Sequence, residues 1–154
     1  MENKIKFMRA AIQEAKKCLE IDEVPVGCVI VFKDKIISRA HNLRETKKNA
    51  VCHAEILAIQ KACKKLDAWR LEDCELYVTI EPCIMCGGAI IQSRISKIYY
   101  GAKDLKGGSF GTSIDILQAK NINHHPEIEG GILEKECAEL ITNYFKSKRI
   151  LKNK

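Results

Sequence analysis

Leu76-Tyr77-Val78-Thr79-Ile80 is an almost unbroken apolar run, and Glu81-Pro82-Cys83 follows it directly. A strand of that composition has no face to leave in water, so it belongs in a sheet covered by helices on both sides. Pro82 then marks a helix start, because the N–H it lacks would be unpaired in a first turn anyway. That helix is expected from Pro82 or Cys83 to about Ser93, with two thiols, Cys83 and Cys86, in its opening turn.

The flanking pattern agrees. Ile5, Met8, Ile12, Ala15 and Leu19 step by three and four, the inner face of an amphipathic helix ending near Glu20. Val26 to Phe32 reads as a strand, Lys33-Asp34 as a turn and Lys35 to Ala40 as its hairpin partner. A polar loop over 41–52 precedes a second helix, from about His53 to Leu66, with Ile56, Ile59 and Cys63 on one face. Lys97 to Gly101 is a further strand, 102–113 a Gly/Ser-rich loop, Ile114 to Gln118 a short helix and Glu127–Gly130 a last strand. A final helix over about Leu133 to Lys148 is expected to bury Cys137, Leu140, Ile141 and Tyr144, which turns Phe145 toward the margin. Strands alternate with helices after the first hairpin, so the sheet is expected to be largely parallel. The 154 residues are read as one domain spanning 1–154.

Eight cysteines suggest a disulfide scaffold, but the chain can bury a core without staples. Cys18, Cys28, Cys63, Cys74 and Cys137 lie in or beside apolar stretches and are expected to be reduced core residues. No leader or membrane span is evident, which points to the cytoplasm. The net charge of +6 is concentrated at the end: Lys146, Lys148, Arg149, Lys152 and Lys154 carry five positives, and removing them leaves +1. A basic tail over about 146–154 suits a polyanionic partner or, more simply, solubility.

Two helix starts carry the chemistry, His53-Ala54-Glu55 and Cys83-Ile84-Met85-Cys86. Thiols at i and i+3 share a helix face, and a helix N-terminus favours thiolate. Three uses remain open for them. A thioredoxin-like dithiol leaves His53 and Glu55 idle. A closed structural zinc site needs a fourth ligand, for which Cys52, Cys74 or His41 is available. A catalytic site takes His53, Cys83 and Cys86 and leaves the fourth position to water, which is thereby activated near neutral pH. Glu55 then stands ready to move protons. That set suits hydrolysis at an electrophilic carbon bearing an amine leaving group.

The pair H-A-E and P-C-x-x-C resembles the signature of the zinc-dependent cytidine deaminase superfamily. Further stretches bring the match closer to bacterial tRNA-specific adenosine deaminases: Val24-Pro25-Val26-Gly27, Ala40-His41-Asn42, Ser93-Arg94-Ile95, Tyr100-Gly101-Ala102-Lys103-Asp104, Asn123-His124 and Gly130-Gly131-Ile132-Leu133. The resemblance implies a three-layer α/β/α cytidine deaminase-like fold with a five-stranded mixed sheet flanked by helices. It implies hydrolysis of adenosine to inosine at the wobble position of a tRNA anticodon loop, chiefly an arginine tRNA reading ACG, by a homodimer with one zinc per subunit. By the same resemblance His53, Cys83 and Cys86 would hold the zinc, Glu55 would shuttle protons and Asn42 would contact base or ribose. Asp104 would contact a neighbouring ribose hydroxyl. Arg44, Lys106, Lys148 and Arg149 would supply charge to the RNA and Phe145 a stacking face. Departures from the family pattern are Val51-Cys52 before His53, Thr112-Ser113-Ile114-Asp115, and His125 after Asn123-His124. A deaminase of a free base or nucleotide (cytosine, guanine) and a non-catalytic zinc-stabilised RNA-binding protein are the competing readings. The basic tail disfavours the former and Glu55 the latter.

Overall fold

The computed structural model describes residues 2–152, so Lys154 of the basic tail lies outside the described residues. The chain runs α1 (Glu2–Glu20), β1 (Gly27–Phe32), β2 (Lys35–His41), α2 (Ala54–Leu66), β3 (Cys74–Ile80), α3 (Ile84–Gln92), β4 (Lys97–Ala102), a 3-10 turn (Ile116–Gln118), β5 (Glu127–Glu129) and α4 (Glu134–Lys152). The five strands form one sheet in the order β2-β1-β3-β4-β5.

Period-two alternation separates two cores. Cys28, Ile30, Leu76, Val78, Ile98 and Tyr100 pack with Ala54, Ala58 and Ala62 of α2 and Ile90 of α3. Val29, Val31, Tyr77 and Tyr99 pack with Phe7, Met8, Ala11 and Ile12 of α1 and Cys137 of α4. The result is three layers, with β3 covered on both faces as its apolar run requires.

The sheet is mixed, not largely parallel. β1 pairs antiparallel with both β2 and β3, whereas β3–β4 and β4–β5 are parallel. The apolar run of β1 carries no sign of its direction, so the pattern alone misses that β3 inserts beside β1. The pairing has a consequence for the site. β2 and β3 both run opposite to β1, and β4 runs with β3, so three strand C-termini point to one end of the sheet. The segments leaving them carry Asn42 and Arg44, Pro82 and Cys83, and Asp104.

Several expected faces shift. Leu19 is 49% exposed, and Cys18 takes its place, its Sγ 3.6 Å from the Asn42 carbonyl. On α2 the buried face is Ala54, Glu55, Ala58, Ile59 and Ala62, while Ile56 and Cys63 are only half-buried. The small alanines let this helix approach the sheet closely. On α4 only Cys137 of the four expected residues is buried; Leu140, Ile141 and Tyr144 are half-buried. The end of α4 reaches past the sheet, where the Tyr144 hydroxyl donates to Asp22 Oδ1 at 3.2 Å and Lys148 Nζ to Asp22 Oδ2 at 2.6 Å. The hairpin turn at Lys33-Asp34 is as read, with φ of 50° and 63°. No described helix is long and apolar enough to cross a membrane.

Gly27 opens β1 against the backbone of α1. A Cβ there would lie 1.9 Å from Ala11 O and 2.4 Å from Ala15 N, both rigid backbone atoms. Gly27→Ala must therefore displace α1, at a cost of at least about 1–3 kcal/mol. Urea unfolding should show a lower midpoint at unchanged slope.

Candidate active site

The site is built from two helix starts at the common end of the sheet. His53 is the N-cap of α2 and Cys83 the N-cap of α3, both with extended backbone and neither making a side-chain cap hydrogen bond. Their side chains turn toward each other instead. Cys83 Sγ and Cys86 Sγ lie 3.7 and 3.6 Å from His53 Nδ1. The three ligating atoms are all within 4.8 Å of one another, and among the described residues no fourth His, Cys, Asp or Glu joins them. Zinc bonded at about 2.3 Å to sulfur and about 2.05 Å to nitrogen, at tetrahedral angles, holds S and N about 3.6 Å apart. The donor set thus fits zinc by chemistry and by spacing, and it leaves one position open.

The alternatives for the thiols lose ground here. All eight cysteines are free. Cys74 begins β3, at the far end of that strand from Cys83, and burial pushes its thiol up to about 11. His41 is engaged through Nδ1 with the buried Glu14, 3.1 Å away. Cys18, Cys28, Cys74 and Cys137 are buried, as read; Cys63 is half-buried.

Glu55 lies in the first turn of α2 and is 3% exposed. Burial, with the charge on Cys83 adding, pushes its carboxyl up to about 7. The Cys86 thiol hydrogen bond, assisted by His53, holds Cys83 down to about 4, and the same contact together with burial keeps the proton on Cys86. The Cys83 contact also raises His53. The two sulfurs thus share a proton across their contact, with Cys83 the more readily ionised. Binding a divalent ion would expel that proton.

The other sequence-predicted residues lie on the segments that follow β2 and β4 and on α4. Leu43 N–H donates to Cys52 O at 3.0 Å, which lays the Asn42–Arg44 segment beside His53. Asn42 is buried, its Nδ2 donating to Val24 O and its Oδ1 accepting from Arg44 N. Arg44 is exposed and pairs with Glu45 at 3.5 Å. Asp104 Oδ1 accepts from the backbone N–H groups of Lys106 and Gly107, both at 3.1 Å, which orients the loop after β4; Lys106 itself is exposed. On α4, Phe145 is 43% exposed with its ring edge-on to Tyr144, Arg149 is exposed, and Lys148 is held by Asp22. Next to Asp22, the fully buried Glu23 accepts from the N–H groups of Glu45 and Thr46, so the end of α4 and the Arg44 loop share one region.

Sequence reasoning missed three buried carboxylates, Glu14, Glu23 and Glu81. Glu23 and Glu81 each receive backbone N–H groups from a loop. The available signal was position: Glu23 stands before Val24-Pro25-Val26, and Glu81 between an apolar strand and Pro82.

The family of MafB19-like deaminases matches residues 2–149. A tRNA-specific adenosine deaminase of Bacillus subtilis (strain 168) is 50% identical over 143 residues, 93% of this chain and 89% of that protein. Its counterpart in Aquifex aeolicus (strain VF5) is 46% identical over 143 residues, 93% of this chain and 94% of that protein. A structure solved in a study of A-to-I editing by tRNA:A34 deaminases at the wobble position of transfer RNA superposes with a TM-score of 0.85 at 40% identity, covering 88% of this chain and 98% of that one.

Proposed function

The chain belongs to the MafB19-like deaminases, standing among the tRNA-specific adenosine deaminases, and from that footing we propose that it converts adenosine to inosine at the wobble position of a tRNA. The preferred substrate would be an arginine tRNA with anticodon ACG. The observation that carries this reading is the meeting of His53, Cys83 and Cys86 beside the buried Glu55. A wobble base sits in an exposed loop, so extruding it costs less than opening a duplex.

His53 Nδ1 and the sulfurs of Cys83 and Cys86 would hold one zinc per subunit. Zinc, when bound, supplies a Lewis acid that makes water nucleophilic near neutral pH. Glu55 does the proton work. Its carboxyl, at about 7, can take a proton from the attacking water, deliver it to the adenine ring nitrogen next to C6, and assist the departing amine. Water and adenosine thus give inosine and ammonia. Asn42 would meet the flipped nucleoside and Asp104 a neighbouring ribose hydroxyl. Arg44, Lys106, Lys148 and Arg149 would face phosphate and Phe145 a base. The enzyme would act in the cytoplasm as a homodimer, with each site completed near the interface; Ile84 at the start of α3 is 62% exposed, consistent with such a contact.

The test is direct. The zinc-loaded protein is incubated with an arginine tRNA transcript carrying ACG, and its cDNA is sequenced, inosine being read as G. Conversion is expected at the wobble position and nowhere else. No conversion with zinc bound, and ammonia released from free cytosine or guanine instead, would replace the tRNA reading with the small-substrate one.

A further inference from the structure

One buried carboxylate joins the loop after β4 to the segment that bears Cys83. Glu81 stands two residues before Cys83 and is 1% exposed. Its oxygens accept three backbone N–H groups, Oε1 from Asp104 at 3.3 Å and Oε2 from Phe110 at 3.0 Å and Thr112 at 3.3 Å. Among the described residues it has no salt-bridge partner. A buried carboxylate without a cation is costly, and converging N–H groups are what offset it.

The loop is shaped around this group. Gly108 passes so close that an added Cβ would meet the Glu81 carboxyl at 2.5 Å. Ser109 fastens the loop from its other side, its Oγ donating to Pro82 O at 2.8 Å and Cys83 O at 3.0 Å, its N–H to Pro82 O at 2.9 Å. Asp104 and Cys83 therefore cannot move independently.

We propose that Glu81 is a positioning residue for the reaction: it sets where Asp104 stands relative to Cys83, and thereby the preference for ribose over deoxyribose beside the target adenosine. This rests on the reading of Asp104 as a ribose contact. The carboxylate touches neither substrate nor metal; it acts through the loop.

The experiment uses the zinc-loaded full chain, an anticodon stem-loop RNA, and the same RNA with one 2′-deoxynucleotide next to the target. Glu81→Gln keeps the volume, but its amide nitrogen cannot accept an N–H. Zinc content should stay at one per chain, KM should rise, kcat/KM should fall by up to about a hundredfold, the scale of an ångström misplacement, and the ribose preference should shrink. Gly108→Ala, which leaves the carboxylate in place but crowds it, should act likewise. Glu81→Gln should add nothing to the loss already caused by Asp104→Ala. Unchanged KM and preference in both Glu81→Gln and Gly108→Ala would overturn the proposal. So would a parallel loss of zinc and kcat with the preference intact, which would make Glu81 merely part of the fold. If Asp104→Ala kept the ribose preference while Glu81→Gln lost it, the Asp104 reading and the proposal built on it would both fail. Failure of the tRNA reading itself would appear as no turnover of either RNA by the unaltered enzyme.

Discussion

Glu55→Ala is expected to reduce turnover of the ACG tRNA by about 10²–10⁴-fold, the usual contribution of a positioned acid–base group. Zinc stoichiometry and tRNA affinity should be nearly unchanged, because Glu55 is neither in the His53–Cys83–Cys86 set nor exposed. The fold should also survive. Glu55 makes no salt bridge among the described residues, so truncation orphans no buried cation. Its carboxyl is held near 7 chiefly by burial, an arrangement that suits proton transfer near neutral pH more than it suits stability. Glu55→Gln, which keeps the shape and loses the titratable group, should match the alanine variant in rate. Three measurements decide the matter: single-turnover rate, bound zinc and tRNA Kd. Joint loss of zinc, tRNA binding and melting temperature would favour a zinc-stabilised RNA-binding protein without catalysis.

Much of this site was legible because its chemistry is concentrated in short, local patterns. Cys83 and Cys86 share one turn, so helix geometry alone places that pair, and His53 and Glu55 stand together at the other helix start. The strand over 76–80 declared its burial on both faces by composition. Other features depend on distant pairing and left no local trace. The direction of β1 relative to β3 is one. The exposure of Leu19 is another, since positions three and four after Ala15 are both compatible with an inner face, and the packing near Asn42 selects Cys18. Glu23 and Glu81 read as surface letters because a carboxylate is rarely buried unpaired. Only the folded chain shows loop N–H groups converging on them. Lys148 illustrates the reverse: a tail cation open to RNA in sequence turns out to be bonded to Asp22, so its contribution to binding would be shared with that contact.

Cys86→Ser is expected to remove the metal and, with it, activity. Cys86 is fully buried, and serine cannot supply a thiolate there. A Lewis acid's contribution of several kcal/mol corresponds to a loss of about 10³-fold or more in kcat. The same substitution should separate stability from catalysis. The three ligands join the starts of α2 and α3, which are distant in sequence, so a bound ion ties the two helices together only in the folded chain. Linkage then stabilises the wild type by about 4 kcal/mol when free zinc exceeds its Kd by a thousandfold, roughly 10 °C in melting temperature for a domain of this size. Chelation of the wild type should lower its melting temperature by that order, whereas the variant should melt at one temperature with or without zinc. The half-exposed Cys83 provides a second variant, Cys83→Ser, less burdened by a buried hydroxyl. If either variant kept one zinc per chain and full turnover, the thiol would not be a ligand and the open-position site would have to be rebuilt from other residues. Zinc-independent melting in the wild type, together with activity that survives chelation, would take the metal out of the reaction altogether.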